Sequence, residues 1–122
     1  MKSPLSLSML MVCAMALVSA PAAADTKAGK KAFKKKCASC HEMDKHKAGP
    51  MLKGVIGRKA GSTDFSKYRA LKGADFTWDE NNLNEWIANP KKFIGKTTPM
   101  TAKVKKEKDR LAIIEYLKSE AD

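Results

Sequence analysis

Apolar residues along this 122-residue chain form one dense N-terminal run and, beyond it, several spaced stripes. The run, Leu5–Val18, is interrupted only by serines, and Lys2 is the single charge in the first 24 residues. It is shorter than the roughly 20 residues that span a bilayer. It gives way to small residues, and Ala22–Ala24 fits an A-x-A cleavage site. This pattern predicts a secretory signal peptide over residues 1–24, cleaved to leave Asp25 first, and a single domain over 25–122. Cys13 lies inside the run and follows Val12, which is not small, so it does not read as a lipid-attachment cysteine.

Past Asp25 the stripes have helical spacing, and no convincing alternating pattern occurs, so the predicted class is all-α. Thr26 caps a first helix running to about Cys37, with Ala28, Gly29, Ala32 and Phe33 on one face. A short helix is expected from about Phe65 to Lys72, stopped by Gly73. The run Thr77-Trp-Asp-Glu80 has the form of a capping box. It opens a helix striped by Leu83, Trp86 and Ile87 and ended by Pro90. A last helix, Lys106 to Glu120, carries Ile113, Ile114 and Leu117, with Leu111 and Tyr116 beside them. Its first turn holds Glu107 and Asp109, where negative charge suits the helix dipole. Glu42–Asp64 and Lys91–Lys105 read as long irregular stretches rich in Gly and Pro. Loops of that length in a compact domain usually serve a site.

Charge narrows the partners. With 24 Lys and Arg against 13 Asp and Glu, the chain is formally +11. That favours acidic proteins or an anionic surface. Export and the lack of any nucleic-acid-binding motif exclude nucleic acid, and membrane association is expected to be peripheral at most.

The chemistry concentrates in Cys37-Ala-Ser-Cys40-His41. C-x-x-C-H is the attachment pattern of c-type haem. Two cysteines at a helix end each reach one porphyrin vinyl group, and the adjacent histidine points at the iron. A redox dithiol of the thioredoxin kind calls for a βαβ context that the chain does not offer. Zinc calls for about four ligands, and His46 alone is left to add. A structural disulfide is the remaining rival. The second axial ligand is sought among Met43, His46, Met51 and Met100. Met43 and His46 lie close to His41 in sequence, whereas Met100 sits in the late loop, from which the chain can fold back; Met100 is the expected ligand. His/Met ligation saturates the iron and suits outer-sphere electron transfer.

The segments AGKKAFKKKCASCH, GPMLKGVIGRKAG, TWDENNLNEWIANPKKFI, Met100 and RLAIIEYLK resemble, in order and spacing, the class I c-type cytochromes of the mitochondrial cytochrome c and bacterial cytochrome c2 group. The resemblance implies three main helices, with short helices and long loops wrapped around one covalently bound haem c. It also implies that Gly29 and Phe33 meet the last helix around Ile113 and Tyr116. It makes Pro50 the acceptor for His41, and Arg58, Tyr68 and Trp78 the surroundings of a haem propionate. Trp86 stands where the family often has tyrosine against the haem. Thr101 and Ala102 replace the aromatic usually found after the ligand methionine. The function expected is a soluble periplasmic carrier of single electrons, monomeric and not an enzyme. It would serve an acidic oxidase, reaction centre, cytochrome bc1 or dehydrogenase. The alternative is a haem enzyme or sensor, peroxidase-like or gas-binding, with a labile sixth ligand.

Overall fold

The computed structural model describes residues 26–121. The leader expected over residues 1–24 and the expected cleavage site lie outside the described residues. Four helices run in the order α1 (Thr26–Lys36), α2 (Glu80–Ala88), α3 (Pro90–Ile94) and α4 (Glu107–Ser119). Helix α1 packs on α4, α4 on α2, and α2 on α3. Among the described residues the only β pairing is an isolated antiparallel bridge, Lys59 to Thr77.

The α1–α4 crossing depends on Gly29. A Cβ there would run into the Ala112 carbonyl and come within 2.7 Å of the Tyr116 Cβ, so only glycine lets the backbones approach this closely. One turn on, Phe33 meets Tyr116 with ring centroids 5.4 Å apart. The contact implied by the family resemblance is present. Ile113, Ile114 and Leu117 of α4 are buried, as are Leu83, Trp86 and Ile87 of α2, on the faces their spacing predicts. Ala28 and Leu111 point outward instead, Leu111 at 50% exposure.

Three local expectations are corrected. The helix expected over Phe65–Lys72 does not form; the segment is a chain of turns, closed by bonds such as Lys72 N–H to Arg69 O at 3.1 Å. Here Phe65, Tyr68, Ala70 and Leu71 instead all turn toward one cavity. The cap of α2 is Asp79, not Thr77. Asp79 Oδ1 accepts from Asn82 N–H and Asn82 Oδ1 accepts from Asp79 N–H, each at 2.8 Å. Thr77 is held by the bridge to Lys59, and its carbonyl accepts from Asn82 Nδ2. Finally, Pro90 both ends α2 and begins α3. Asn89 closes the first helix and caps the second through its side chain, leaving proline at the N1 position that tolerates it.

Candidate functional site

The end of α1 continues as tight turns. Cys37 N–H and Ala38 N–H both donate to Phe33 O, while Cys40 N–H and His41 N–H donate to Cys37 O at 3.1 and 3.0 Å. Folding back in this way brings Cys37, Cys40 and His41 into the lining of one cavity. The thiols are unpaired. Burial, with Cys40 nearby, pushes the Cys37 thiol up to about 11. It is therefore a protonated thiol at neutral pH, unlike the activated thiolate of a redox dithiol.

His41 is fixed from behind. Its Nδ1 lies 2.8 Å from Pro50 O; a carbonyl only accepts, so Nδ1 carries the proton and Nε2 keeps a free lone pair. Burial lowers the imidazole below its ordinary range, the bond to Pro50 partly opposes this, and Arg58 lowers it further. A neutral imidazole is the metal-binding form. Gly49 packs flat against the ring: a Cβ there would approach both ring nitrogens to 2.8 Å. The Gly49 N–H donates to Cys40 O at 2.7 Å, closing the loop that carries Pro50 back over the histidine.

The cavity has a volume of about 610 Å³, within the usual range of about 300–1,000 Å³ for small-molecule sites. Val55, Leu83, Trp86, Ile87, Ile113 and Leu117 give it apolar walls. Of the four candidates for a second ligand, Met100 alone reaches the lining. His46 is committed elsewhere: its Nδ1 accepts from Met51 N–H at 3.1 Å and its Nε2 sits 2.6 Å from Asp64 Oδ1. Met43 packs at the margin of the core cluster.

Arg58, Tyr68 and Trp78 also line the cavity. A short ladder places two of them side by side. Gly57 N–H donates to Trp78 O at 2.7 Å, Trp78 N–H to Arg58 O at 2.9 Å, and Ala60 N–H to Phe76 O at 2.9 Å. Arg58 is half-buried, and its guanidinium donates to Met51 O at 3.0 Å and Lys53 O at 3.3 Å. Burial lowers its pKa and the nearby Tyr68 partly opposes this. The Tyr68 hydroxyl bonds Thr63 Oγ1 at 2.7 Å.

Similarity to known proteins agrees with this geometry. The cytochrome c family model matches residues 26–121. Cytochrome c of Gossypium barbadense is 45% identical over 98 residues, covering 77% of this chain and 88% of its own. That of Guizotia abyssinica is 42% identical over 101 residues, covering 80% and 91%. The chain belongs to the cytochrome c family. Among solved structures, cytochrome cH from Methylobacterium extorquens superposes with a TM-score of 0.68 at 41% identity, covering 78% of this chain and 98% of that one.

As a family member it is a haem-based electron carrier with one covalently attached c-type haem. The site fits that group: two thiols and a preset imidazole lie in one apolar lining, a thioether shares it, and Gly49 leaves the ring of His41 unobstructed. Among the described residues no carboxylate lines the cavity, while Lys36, Arg58, Lys67 and Arg69 do, which suits a cofactor carrying acid groups.

Sequence reasoning missed three contributors. Phe76 and Phe93 sit behind the two tryptophans. Phe76 meets Trp78 edge-on at 4.9 Å and Phe93 at 5.6 Å, while Trp78 and Trp86 lie 5.5 Å apart. Such pairs contribute about 0.5–1.5 kcal/mol each beyond burial. The two-residue spacing of Phe76 and Trp78 on extended backbone was the available signal. Thr98 is the one buried polar side chain among the described residues, and it lines the cavity. Its hydroxyl accepts from Met100 N–H at 3.3 Å. Nothing in its local sequence marked it.

Proposed function

We propose that this cytochrome is an exported carrier of the bacterial periplasm. Cys37 and Cys40 hold the haem by thioether bonds, and His41 and Met100 ligate its iron. The observation that carries this reading is the sorting of ligand candidates: His41, with Nε2 free, and Met100 share one cavity, while His46 is engaged with Asp64 and Met51. The haem supplies a one-electron couple at its iron. The chain's own residues do the rest. Pro50 holds the proton on His41 Nδ1, apolar walls exclude water, and the buried Trp78 and Trp86 pack against each other at 5.5 Å beside the cavity. With His41 and Met100 as its two protein ligands, the iron would keep no position for a substrate, which suits a carrier rather than an enzyme.

Export is supported by the leader pattern over residues 1–24. Among the described residues no helix is long and apolar enough to cross a membrane. Mass spectrometry of the secreted holoprotein is expected to show Asp25 as its first residue; a mass retaining the leader refutes cleavage there. The basic surface favours acidic redox proteins as partners and a monomeric carrier. The ligand assignment is tested in the oxidised holoprotein. Met100→Ala abolishes the weak sulfur-to-iron absorption band and opens the iron to small ligands, whereas Met51→Ala keeps both properties. A band that survives in Met100→Ala and vanishes in Met51→Ala would reverse the assignment.

A further inference from the structure

Met100 is carried on a poorly fastened stretch. Gly95, Lys96, Thr97, Pro99, Thr101, Ala102 and Lys103 are all exposed. Among the described residues, the only backbone N–H from Lys96 to Lys103 with a protein partner is that of Met100, which donates to Thr98. Upstream, Thr98 is buried. Downstream, the chain is caught again only at Val104, whose N–H donates to Ile87 O of α2 at 2.8 Å. Immediately there, one side chain gathers three bonds. Arg110 of α4 donates from Nη1 to Val104 O at 3.0 Å and to Lys105 O at 2.8 Å, and from Nε to Asn84 Oδ1 of α2 at 2.7 Å. Asn84 and Ile87 are three apart on one face of α2, so the arginine and the Val104 bond pin the same point of the chain.

We propose that Arg110, oriented by Asn84, is a positioning residue that clamps the downstream end of the Met100 segment and so holds the thioether in the cavity. The clamp rests on the reading of Met100 as an axial ligand. Helix docking alone does not account for it, because two of its three bonds go to the segment's carbonyls and only one goes to a helix. The α2–α4 contact has its own link in Lys118 Nζ to Glu80 Oε1, at 2.6 Å. Lysine could not replace the arginine: its single ammonium is a point charge, whereas the planar fork serves Asn84 and both carbonyls at once. Without the clamp, the chain from Thr98 to α4 has more freedom. The thioether then spends less time in place, and the iron is open to a competing ligand for a larger fraction of the time. Apparent affinity for such a ligand scales with that fraction.

The test is a titration of oxidised holoprotein with imidazole, following loss of the sulfur-to-iron band. Arg110→Ala is expected to bind imidazole at least about tenfold more tightly and Asn84→Ala about threefold. Glu80→Gln, which weakens the other α2–α4 link, stays at the wild-type value. Should Arg110→Ala not accumulate, Arg110→Lys takes its place with the same expected direction. Unchanged affinity on losing the fork refutes the clamp, as does an equal gain in Glu80→Gln, which would mean that general loosening of α2 against α4 is responsible. If Met100→Ala retains the band, the ligand assignment fails and the clamp with it. If Met100→Ala loses the band while the Arg110 variant matches wild type, the clamp alone fails.

Discussion

The His46–Asp64 contact shows how one residue's environment reaches into stability. The Met51 N–H points at His46 Nδ1, so Nδ1 is an acceptor and Nε2 carries the proton offered to Asp64. The pair ties the Met51 turn to the segment that runs on to Phe65, whose ring lies 5.4 Å from the imidazole. The hydrogen bond donated by His46 lowers the Asp64 carboxyl below its ordinary range. A carboxyl lowered in the folded state adds stability above its unfolded-state pKa and loses it as pH falls through the folded value. Asp64→Asn imitates the protonated form. Urea titrations should therefore show the variant less stable than wild type at neutral pH, with the gap closing through the acid end of the carboxylate range. The gap is modest because Asp64 is almost fully exposed, and a pH-independent gap would show that shape rather than charge is at work.

Helix α2 carries three residues that wall the cavity, Leu83, Trp86 and Ile87, so its start must be set to the residue. The reciprocal Asp79–Asn82 cap does this. It satisfies the Asn82 N–H at the helix start and fixes the path from Trp78 into the helix. Asp79→Ala is expected to cost about 1 kcal/mol in urea unfolding, as for other N-cap truncations. Thr77→Ala leaves a backbone bridge intact and is expected to cost less than half as much. If Thr77→Ala proves the more damaging, the cap lies where the local sequence first suggested. At the other end, α2 hands over to α3 through Asn89 and Pro90, and this turn places Phe93 against Trp86 and Trp78.

At the scale of the whole molecule, lysines gather around the cavity. Lys34, Lys35 and Lys36 end α1, and Lys36 reaches the cavity lining. Lys91, Lys92 and Lys103 border one surface groove beside the Met100 segment. Lys118 is different, being paired with Glu80 and Glu115 far along α4. Local opposite charge steers encounter and orients a partner, and salt screens it over about 8 Å at physiological ionic strength. Electron transfer to an acidic partner is expected to slow steeply with added salt. Lys36→Glu and Lys91→Glu should each slow it further with the absorption spectrum unchanged, and Lys118→Glu should slow it less. Equal losses from all three would mean that net charge, and not a docking face, governs the encounter.

The sequence alone determined what depends on nearest neighbours along the chain. Cys37, Cys40 and His41 come together because α1 ends in turns of a few residues, so their spacing is already their geometry. The stripes of α2 and α4 had to be buried wherever those helices packed. Pro50 and the Gly29–α4 crossing were legible only through resemblance to a family, since their partners lie far away in sequence. Tertiary structure decided the rest. Position along the chain pointed to Met100 among Met43, His46, Met51 and Met100, but only the folded chain shows Met100 in the cavity lining and the His46 imidazole bonded to Asp64. The helix expected at Phe65–Lys72 was lost for the same reason. Phe65, Tyr68, Ala70 and Leu71 line the cavity from a run of turns, set by the walls that close around them. Thr98 and Phe93 carry no local mark, because a residue's place behind or along a cavity wall is a property of the walls that close on it.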